Sequence, residues 1–191
     1  MDKLYISAQQ LLEDSYALAM QVFDSGYRPD YIVGVWRGGA PVGIAVQELL
    51  ELLGIKSDHI AIRTSSYTGI GQRSRTVKVH GLGYIVDRIS QGEALLLVDD
   101  VYDTGLSLLQ VVEDIETQCE SNRPDIRIAT PWFKPANNQT DRTPDYFVHQ
   151  SDRWLVFPHE LMGLTLEEIR KHKPELASHM NRLELSLKSA D

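Results

Sequence analysis

The chain is short of cysteine, of positive charge and of long apolar runs, and each shortage removes a class of protein. A single cysteine, Cys119, stands among 191 residues. It allows no intrachain disulfide, and with no His close in sequence it suggests neither a metal cluster nor a paired nucleophile, so a structural role in a reducing cytosol is predicted. Lys and Arg number 19 against 27 Asp and Glu, a formal net charge of -8. Such a chain lacks the basic face that displaces counterions from nucleic acid, and no nucleic-acid partner is expected. No apolar run reaches the ~18 residues of a membrane span, and Met1-Asp2-Lys3-Leu4-Tyr5 has no charged-then-apolar signal order; a cytoplasmic protein without membrane contact is expected. Repeats and low-complexity tracts are missing too. What remains is ordinary globular composition, 42% hydrophobic and 24% charged, with length for one well-buried core and a single predicted domain over residues 1–191.

Strands and helices alternate along the chain. Ser7 with Gln10 forms a capping-box pattern, and Leu12, Tyr16, Ala19 and Phe23 follow at helical spacing until Gly26. The apolar run Tyr31 to Trp36, then Arg37-Gly38-Gly39 and Pro41, reads as strand, glycine loop and helix. That helix extends through Leu53 to Gly54, and His59 to Thr64 is the next strand. Between Ser65 and about Gly83 the apolar pattern gives way to Gly69, Gly71, Arg73, Arg75 and Lys78, a connection long enough to suggest a mobile lid or flexible hairpin. Ala94 to Val98 is the most apolar stretch and predicts a buried central strand that stops at Asp99-Asp100. A helix with Leu108, Val111, Val112 and Ile115 follows, then strands at Arg127–Thr130, Tyr146–Val148 and Trp154–Phe157. Thr165 and Glu168 cap a C-terminal helix. The order predicts an α/β fold, a mainly parallel twisted sheet flanked by helices, with ligands at the strand carboxyl ends.

The segment at the end of the central strand carries the chemistry. In Asp99-Asp100-Val101-Tyr102-Asp103-Thr104-Gly105-Leu106-Ser107, an acid pair at a strand end can accept hydrogen bonds from a vicinal diol, or hold a hydrated magnesium that does so. The Thr104 and Ser107 hydroxyls, the loop amides and the helix N-terminus can hold a phosphate. An acidic protein that binds a polyphosphate needs such local devices. Two acids separated by one residue, the haloacid-dehalogenase pattern, are absent here, and so is the Gly-Lys-Ser/Thr of a Walker loop. A receiver domain would carry its acid pair after the first strand and a separate acceptor Asp later; here all three acids share one loop.

Residues 95 to 107 resemble the signature of the type I phosphoribosyltransferases: four apolar residues, two acids, two mostly apolar residues, Asp-Thr-Gly, and a nearby Ser or Thr. The resemblance covers about Tyr31 to Glu160, leaving 161–191 as a C-terminal helical extension, and implies a small hood-like subdomain and a flexible loop. It implies that Asp99 and Asp100 address the ribose hydroxyls directly or through magnesium, and that Asp103, Thr104, Gly105, Leu106 and Ser107 cradle the 5′-phosphate. In purine members the same Asp lies near N7 of the base, which makes Asp103 the catalytic candidate. Arg37, Gly38 and Gly39 match the pyrophosphate loop, and Ser66-Tyr67 the start of the closing catalytic loop.

For the base, Lys134 stands where 6-oxopurine enzymes place a lysine that donates to the exocyclic oxygen. An ammonium suits that carbonyl and opposes the amino group of adenine. Trp154 resembles the stacking ring, Leu155 the backbone facing the purine edge, and Glu160 the acid serving a second magnesium or the pyrophosphate. The resemblance is closest to the short hypoxanthine, guanine and xanthine phosphoribosyltransferases. It implies a magnesium-dependent pentosyltransferase of purine salvage, with phosphoribosyl pyrophosphate and a purine base as substrates and a homodimer or homotetramer as the assembly. The alternative is a regulator that senses phosphoribosyl pyrophosphate without turnover, although no helix-turn-helix or basic face is evident.

Overall fold

The computed structural model describes residues 2–68 and 75–188. In chain order the elements are β1 Lys3–Tyr5, α1 Ala8–Asp24, β2 Tyr31–Trp36, α2 Gly39–Leu52, β3 Asp58–Thr68, β4 Arg75–His80, α3 Gly83–Val86, β5 Ala94–Val98, β6 Val101–Tyr102, α4 Leu106–Cys119, β7 Asp125–Phe133, β8 Tyr146–Gln150, β9 Trp154–Val156, α5 Leu166–His172 and α6 Met180–Lys188. The described chain groups into two compact units, a larger one spanning Gln9–Asp152 and a smaller one made of Met1–Ala8 with Arg153–Asp191.

The larger unit is built on a seven-stranded sheet of order β4-β3-β2-β5-β7-β6, with β8 also on β7. Every pairing is parallel except β3 with β4, so the mainly parallel α/β architecture read from the sequence is the one observed. Central strand β5 has Leu95, Leu96, Leu97 and Val98 fully buried, because helices cover both faces of a parallel sheet. On one face Val33, Val35, Leu95, Leu97 and Ile128 pack with Leu108, Val111 and Ile115 of α4. Fully burying each such side chain contributes roughly 1.5–3 kcal/mol, an upper figure since the unfolded chain is itself partly collapsed.

Two details differ from the sequence reading. β5 ends at Val98, directly before the acid pair, as read from the sequence, but the run of strand is not finished there. It resumes as β6 in the same register against β7, Val98 facing Ala129 and Val101 facing Trp132, with Asp99-Asp100 as a two-residue break. Pro131, which has no N–H to donate to the ladder, sits opposite that break. The other difference is in α1. Leu11, Leu18, Ala19 and Val22 are buried, whereas Leu12 and Tyr16 are exposed, so the helix turns a different stripe inward. Asp14 and Ser15 lie within that buried stripe: Ser15 donates to the Leu11 carbonyl at 2.6 Å, and Asp14 Oδ1 is 2.8 Å from Nε2 of His149.

Past Thr64 the backbone continues as strand to Thr68 and returns antiparallel as β4, with Ser66 opposite Val77 and Tyr67 opposite Thr76. The predicted loop is a hairpin at its base; Gly69, Gly71 and Arg73 lie outside the described residues.

In the smaller unit β1 pairs in parallel with β9, Lys3 to Tyr5 against Trp154 to Val156. The predicted capping box is present: the Thr165 hydroxyl accepts from the Glu168 amide and the Glu168 carboxylate accepts from the Thr165 amide. Glu168 also receives Lys3 Nζ at 2.6 Å and the Tyr5 hydroxyl at 2.8 Å, while the Tyr5 ring stacks on His172 at 3.7 Å. Together these contacts hold the N-terminal strand against α5. No helix among the described residues is long and apolar enough to cross a membrane.

Candidate active site

At the carboxyl ends of β2 and β5 a glycine loop lies against an acid pair. A Cβ on Gly39 would sit 2.2 Å from the Val98 carbonyl oxygen and 2.9 Å from the Asp99 α-carbon, so this backbone approach excludes any side chain at 39. The Trp36–Arg37 peptide that leads into the loop is cis. Asp100 is 8% exposed. Asp99 Oδ1 accepts from the Asp100 amide at 2.9 Å, and the Gly39 amide also donates to its carboxylate. Those amides favour the anion. Desolvation and the adjacent Asp100 charge outweigh them, holding the Asp99 carboxyl well above the usual carboxylate range.

Two neighbouring carboxylates at a strand end suit a cation or a pair of hydroxyl donors. Among the described residues no three carboxylate, imidazole or thiol groups converge as a metal cage. A hydrated magnesium nevertheless fits, since that ion keeps several waters and takes one or two carboxylates together with substrate oxygens.

Beyond β6 the chain turns into α4. Gly105 has φ 78°, and a Cβ there would fall 2.6 Å from the Tyr102 ring. Thr104 Oγ1 accepts from the Leu106 amide at 3.4 Å. The first-turn amides of a helix have no intrahelical acceptor, so Thr104, Gly105, Leu106 and Ser107 present amides and hydroxyls where a phosphate would bind. The Tyr102 hydroxyl is tied to Thr140 at 2.9 Å and accepted by the Arg142 carbonyl at 3.0 Å, which anchors the loop from beneath.

Asp103, 43% exposed, faces Lys134 across this loop. Lys134 is 7% exposed and its Nζ lies 3.3 Å from Asp103 Oδ2. Its backbone amide donates to the Tyr102 carbonyl at 2.9 Å, so the lysine is fixed by the strand that it follows. A third group, which sequence reasoning missed, completes the cluster: Asn137 Nδ2 donates to Asp103 Oδ1 at 2.8 Å.

A second missed residue is Arg63. With Trp36, Arg37 and Thr64 it lines an open cleft of about 470 Å³ where the end of β2 lies beside the middle of β3. Two guanidiniums in one cleft suit a polyanion. The sequence offered only an arginine near the end of a strand-like run; its place opposite Trp36 is seen in the strand register.

Of the other expected residues, Ser66 and Tyr67 lie on β3, which continues from this cleft. Trp154, Leu155 and Glu160 belong to the smaller unit. There Trp154 is 53% exposed, Leu155 is buried, and Glu160 Oε2 accepts from the Phe157 amide at 3.0 Å. Cys119 is buried and its thiol is pushed up by desolvation, in keeping with a structural role.

The phosphoribosyl transferase domain family matches residues 5–161. The hypoxanthine-guanine phosphoribosyltransferase of Lactococcus lactis is 26% identical over 178 residues, covering 91% of this chain and 88% of that protein. The xanthine-guanine phosphoribosyltransferase of Desulfotalea psychrophila is 31% identical over 157 residues, covering 80% and 83%. Among solved structures, the purine phosphoribosyltransferase of Pyrococcus horikoshii superposes with a TM-score of 0.67 at 28% identity, covering 86% of this chain and 98% of that one. This chain therefore belongs to the phosphoribosyltransferase family.

Proposed function

We propose that the protein transfers the 5-phosphoribosyl group from phosphoribosyl pyrophosphate to a 6-oxopurine (hypoxanthine, guanine or xanthine), releasing pyrophosphate and the nucleoside 5′-monophosphate. The observation that carries this reading is the Lys134–Asp103 pair at 3.3 Å beside a phosphate-type loop. One donor and one acceptor on neighbouring elements match the O6 and N7–H edge of a 6-oxopurine, and the ammonium would oppose the 6-amino group of adenine.

In this mechanism Thr104 to Ser107 hold the 5′-phosphate, Arg37 with the Gly38 and Gly39 amides holds the pyrophosphate, and Asp99 and Asp100 hold the ribose hydroxyls and magnesium. When bound, that cation supplies charge neutralisation for the leaving group. Lys134 orients O6. The N9 lone pair forms the bond to the anomeric carbon as the carbon–oxygen bond to pyrophosphate breaks, with inversion, and the N7 proton passes to Asp103. The residues contribute mainly by positioning and by stabilising charge. Ser66 and Tyr67 are assigned to closure over the site, which excludes water from an oxocarbenium-like transition state. Trp154 is assigned to stacking on the base, Leu155 to its edge and Glu160 to a second magnesium or pyrophosphate, on family resemblance. We assign the protein to the cytosol. The exposed Trp36 and Ile44, which line a groove along α2 and β3, support self-association as a dimer or tetramer.

The test is pyrophosphate release with magnesium, phosphoribosyl pyrophosphate and a panel of hypoxanthine, guanine, xanthine, adenine, uracil and orotate. Turnover restricted to 6-oxopurines is expected. Activity only with adenine or a pyrimidine would remove the roles given to Lys134 and Trp154, and tight phosphoribosyl pyrophosphate binding without release for any base would favour the sensor.

A further inference from the structure

Both oxygens of the Asp103 carboxylate are occupied, Oδ2 by Lys134 Nζ at 3.3 Å and Oδ1 by Asn137 Nδ2 at 2.8 Å. An ionised carboxylate only accepts, so the Asn137 amide must present its nitrogen rather than its oxygen. We infer that Asn137 is the positioning residue of the proton-transfer step, holding Asp103 by Oδ1 so that Oδ2 passes from Lys134 to the purine N7. The inference rests on the 6-oxopurine reading above.

Exchange of partners is what the substrate's chemistry requires. O6 and N7 lie side by side on one edge of the purine, one an acceptor and the other carrying a proton. A base arriving between Lys134 and Asp103 gives the ammonium a carbonyl oxygen and the carboxylate an N–H. The single contact between the two side chains is replaced by one contact from each to the base. As N9 bonds to the anomeric carbon and pyrophosphate departs with its electron pair, the N7–H bond breaks and its proton goes to Oδ2. Once the ammonium has left, a carboxylate on a short side chain has a broad, two-fold terminal torsion. The donor on Oδ1 removes that freedom and keeps Oδ2 aimed at N7.

Asn137 is held rigidly enough to do this, although it is exposed. It closes a 3₁₀ turn, Pro135–Asn137, in which its own amide donates to the Lys134 carbonyl at 3.2 Å. At one end of the turn the Lys134 amide donates to the Tyr102 carbonyl at 2.9 Å, and beyond the other the Gln139 amide donates to the Thr104 carbonyl at 3.0 Å. These are the residues immediately before and after Asp103. The Ala136 amide adds a bond to Asp152 at 3.1 Å. The segment bearing Asn137 is thus attached on both sides of the residue it contacts.

The experiment combines kinetics with a signal that does not depend on turnover. Asn137→Leu removes the donor at similar size and should lower kcat roughly tenfold to a hundredfold, the range for losing a hydrogen bond to a charged group. KM for phosphoribosyl pyrophosphate and the melting temperature should stay near wild type, and Asn137→Gln, which keeps an amide donor, should recover part of the loss. In nitrogen-15 NMR of the ligand-free protein, the Asn137 side-chain amide resonances should move on Asp103→Asn. Wild-type kcat in Asn137→Leu would overturn the inference, as would a kcat loss matched by falls in melting temperature and phosphoribosyl pyrophosphate affinity. Should wild-type protein turn over no base at all, the 6-oxopurine reading and the catalytic role would fall together. An unmoved amide signal would instead remove the Asn137–Asp103 bond while leaving that reading intact.

Discussion

Gly38 and Asp100 compete for the same space: a methyl group on the Gly38 α-carbon would lie 1.9 Å from Asp100 Oδ2 and 2.1 Å from its Cγ. Gly38→Ala can be accommodated only by swinging the Asp100 carboxylate away from its position over the glycine loop. Gly39→Ala meets backbone at Val98 and Asp99, which has no such escape. The two variants should therefore fail differently. Gly38→Ala should fold near normally and raise KM for phosphoribosyl pyrophosphate roughly tenfold or more, the scale of one lost charge-assisted contact. Gly39→Ala should lose about 1–3 kcal/mol of stability through overpacking. Denaturant titration beside steady-state kinetics separates the two.

Asp99 is predicted to be a destabilising residue in the ligand-free protein. Burial and the Asp100 charge raise its carboxyl well above the ordinary 3.8, so the folded state holds this proton more tightly than the unfolded state does. Stability then falls as pH climbs from about that ordinary value through the folded one. Asp99→Asn removes the charge and keeps the shape. It should melt at a higher temperature than wild type at neutral pH, with the advantage shrinking as pH is lowered toward 4, while binding of phosphoribosyl pyrophosphate is lost. Thermal melts from pH 4 to 8 without ligand check the sign; an Asp99→Asn protein less stable than wild type at pH 7 would contradict it.

Lys134 gives the third prediction. Its ammonium is almost wholly buried and faces one carboxylate, so Lys134→Met should strip the site of its preference for a carbonyl at C6. We expect kcat/KM for hypoxanthine or guanine to fall by about a hundredfold, and the ratio of 6-oxopurine to adenine activity to collapse toward unity. Competition assays with both bases measure that ratio directly.

These residues differ in how far the sequence revealed them. Asp99, Asp100 and the Thr104–Ser107 loop were legible because β5 is buried on both faces, which leaves an unbroken apolar run with an abrupt polar end. Lys134 was legible as the residue after a strand. Asn137 was not, because an asparagine in Pro-Ala-Asn-Asn reads as turn chemistry, and its partner is 34 residues away. The resumption of the strand as β6 was hidden for a related reason: two residues are too short for a periodic signal, and only pairing with Trp132 and Phe133 defines them. In α1 the reading followed Leu12 and Tyr16 outward because Asp14 and Ser15 interrupt the buried stripe, and the bonds that Asp14 Oδ1 and the Ser15 hydroxyl make there are exposed by no spacing rule. The smaller unit joins segments from opposite ends of the chain, so the pairing of β1 with β9 had no local signature.

That pairing supplies the last prediction. Glu168 collects Lys3 Nζ, the Tyr5 hydroxyl and the Thr165 amide, and these donors lower its carboxyl from 4.5 to about 2, with Lys3 the largest contributor. A depressed carboxyl stabilises the fold fully above the unfolded value and ceases to do so as pH falls through the folded one. Glu168→Gln should thus lower the melting temperature by a few degrees at pH 7 and progressively less below pH 4.5, the two proteins converging near pH 2. Salt should narrow the neutral-pH difference, because the Lys3 ammonium and the Glu168 carboxylate are each about a quarter exposed. Glu168→Gln melting with wild type across this whole range would mean that β1 is held by its backbone pairing with β9 and not by the carboxylate.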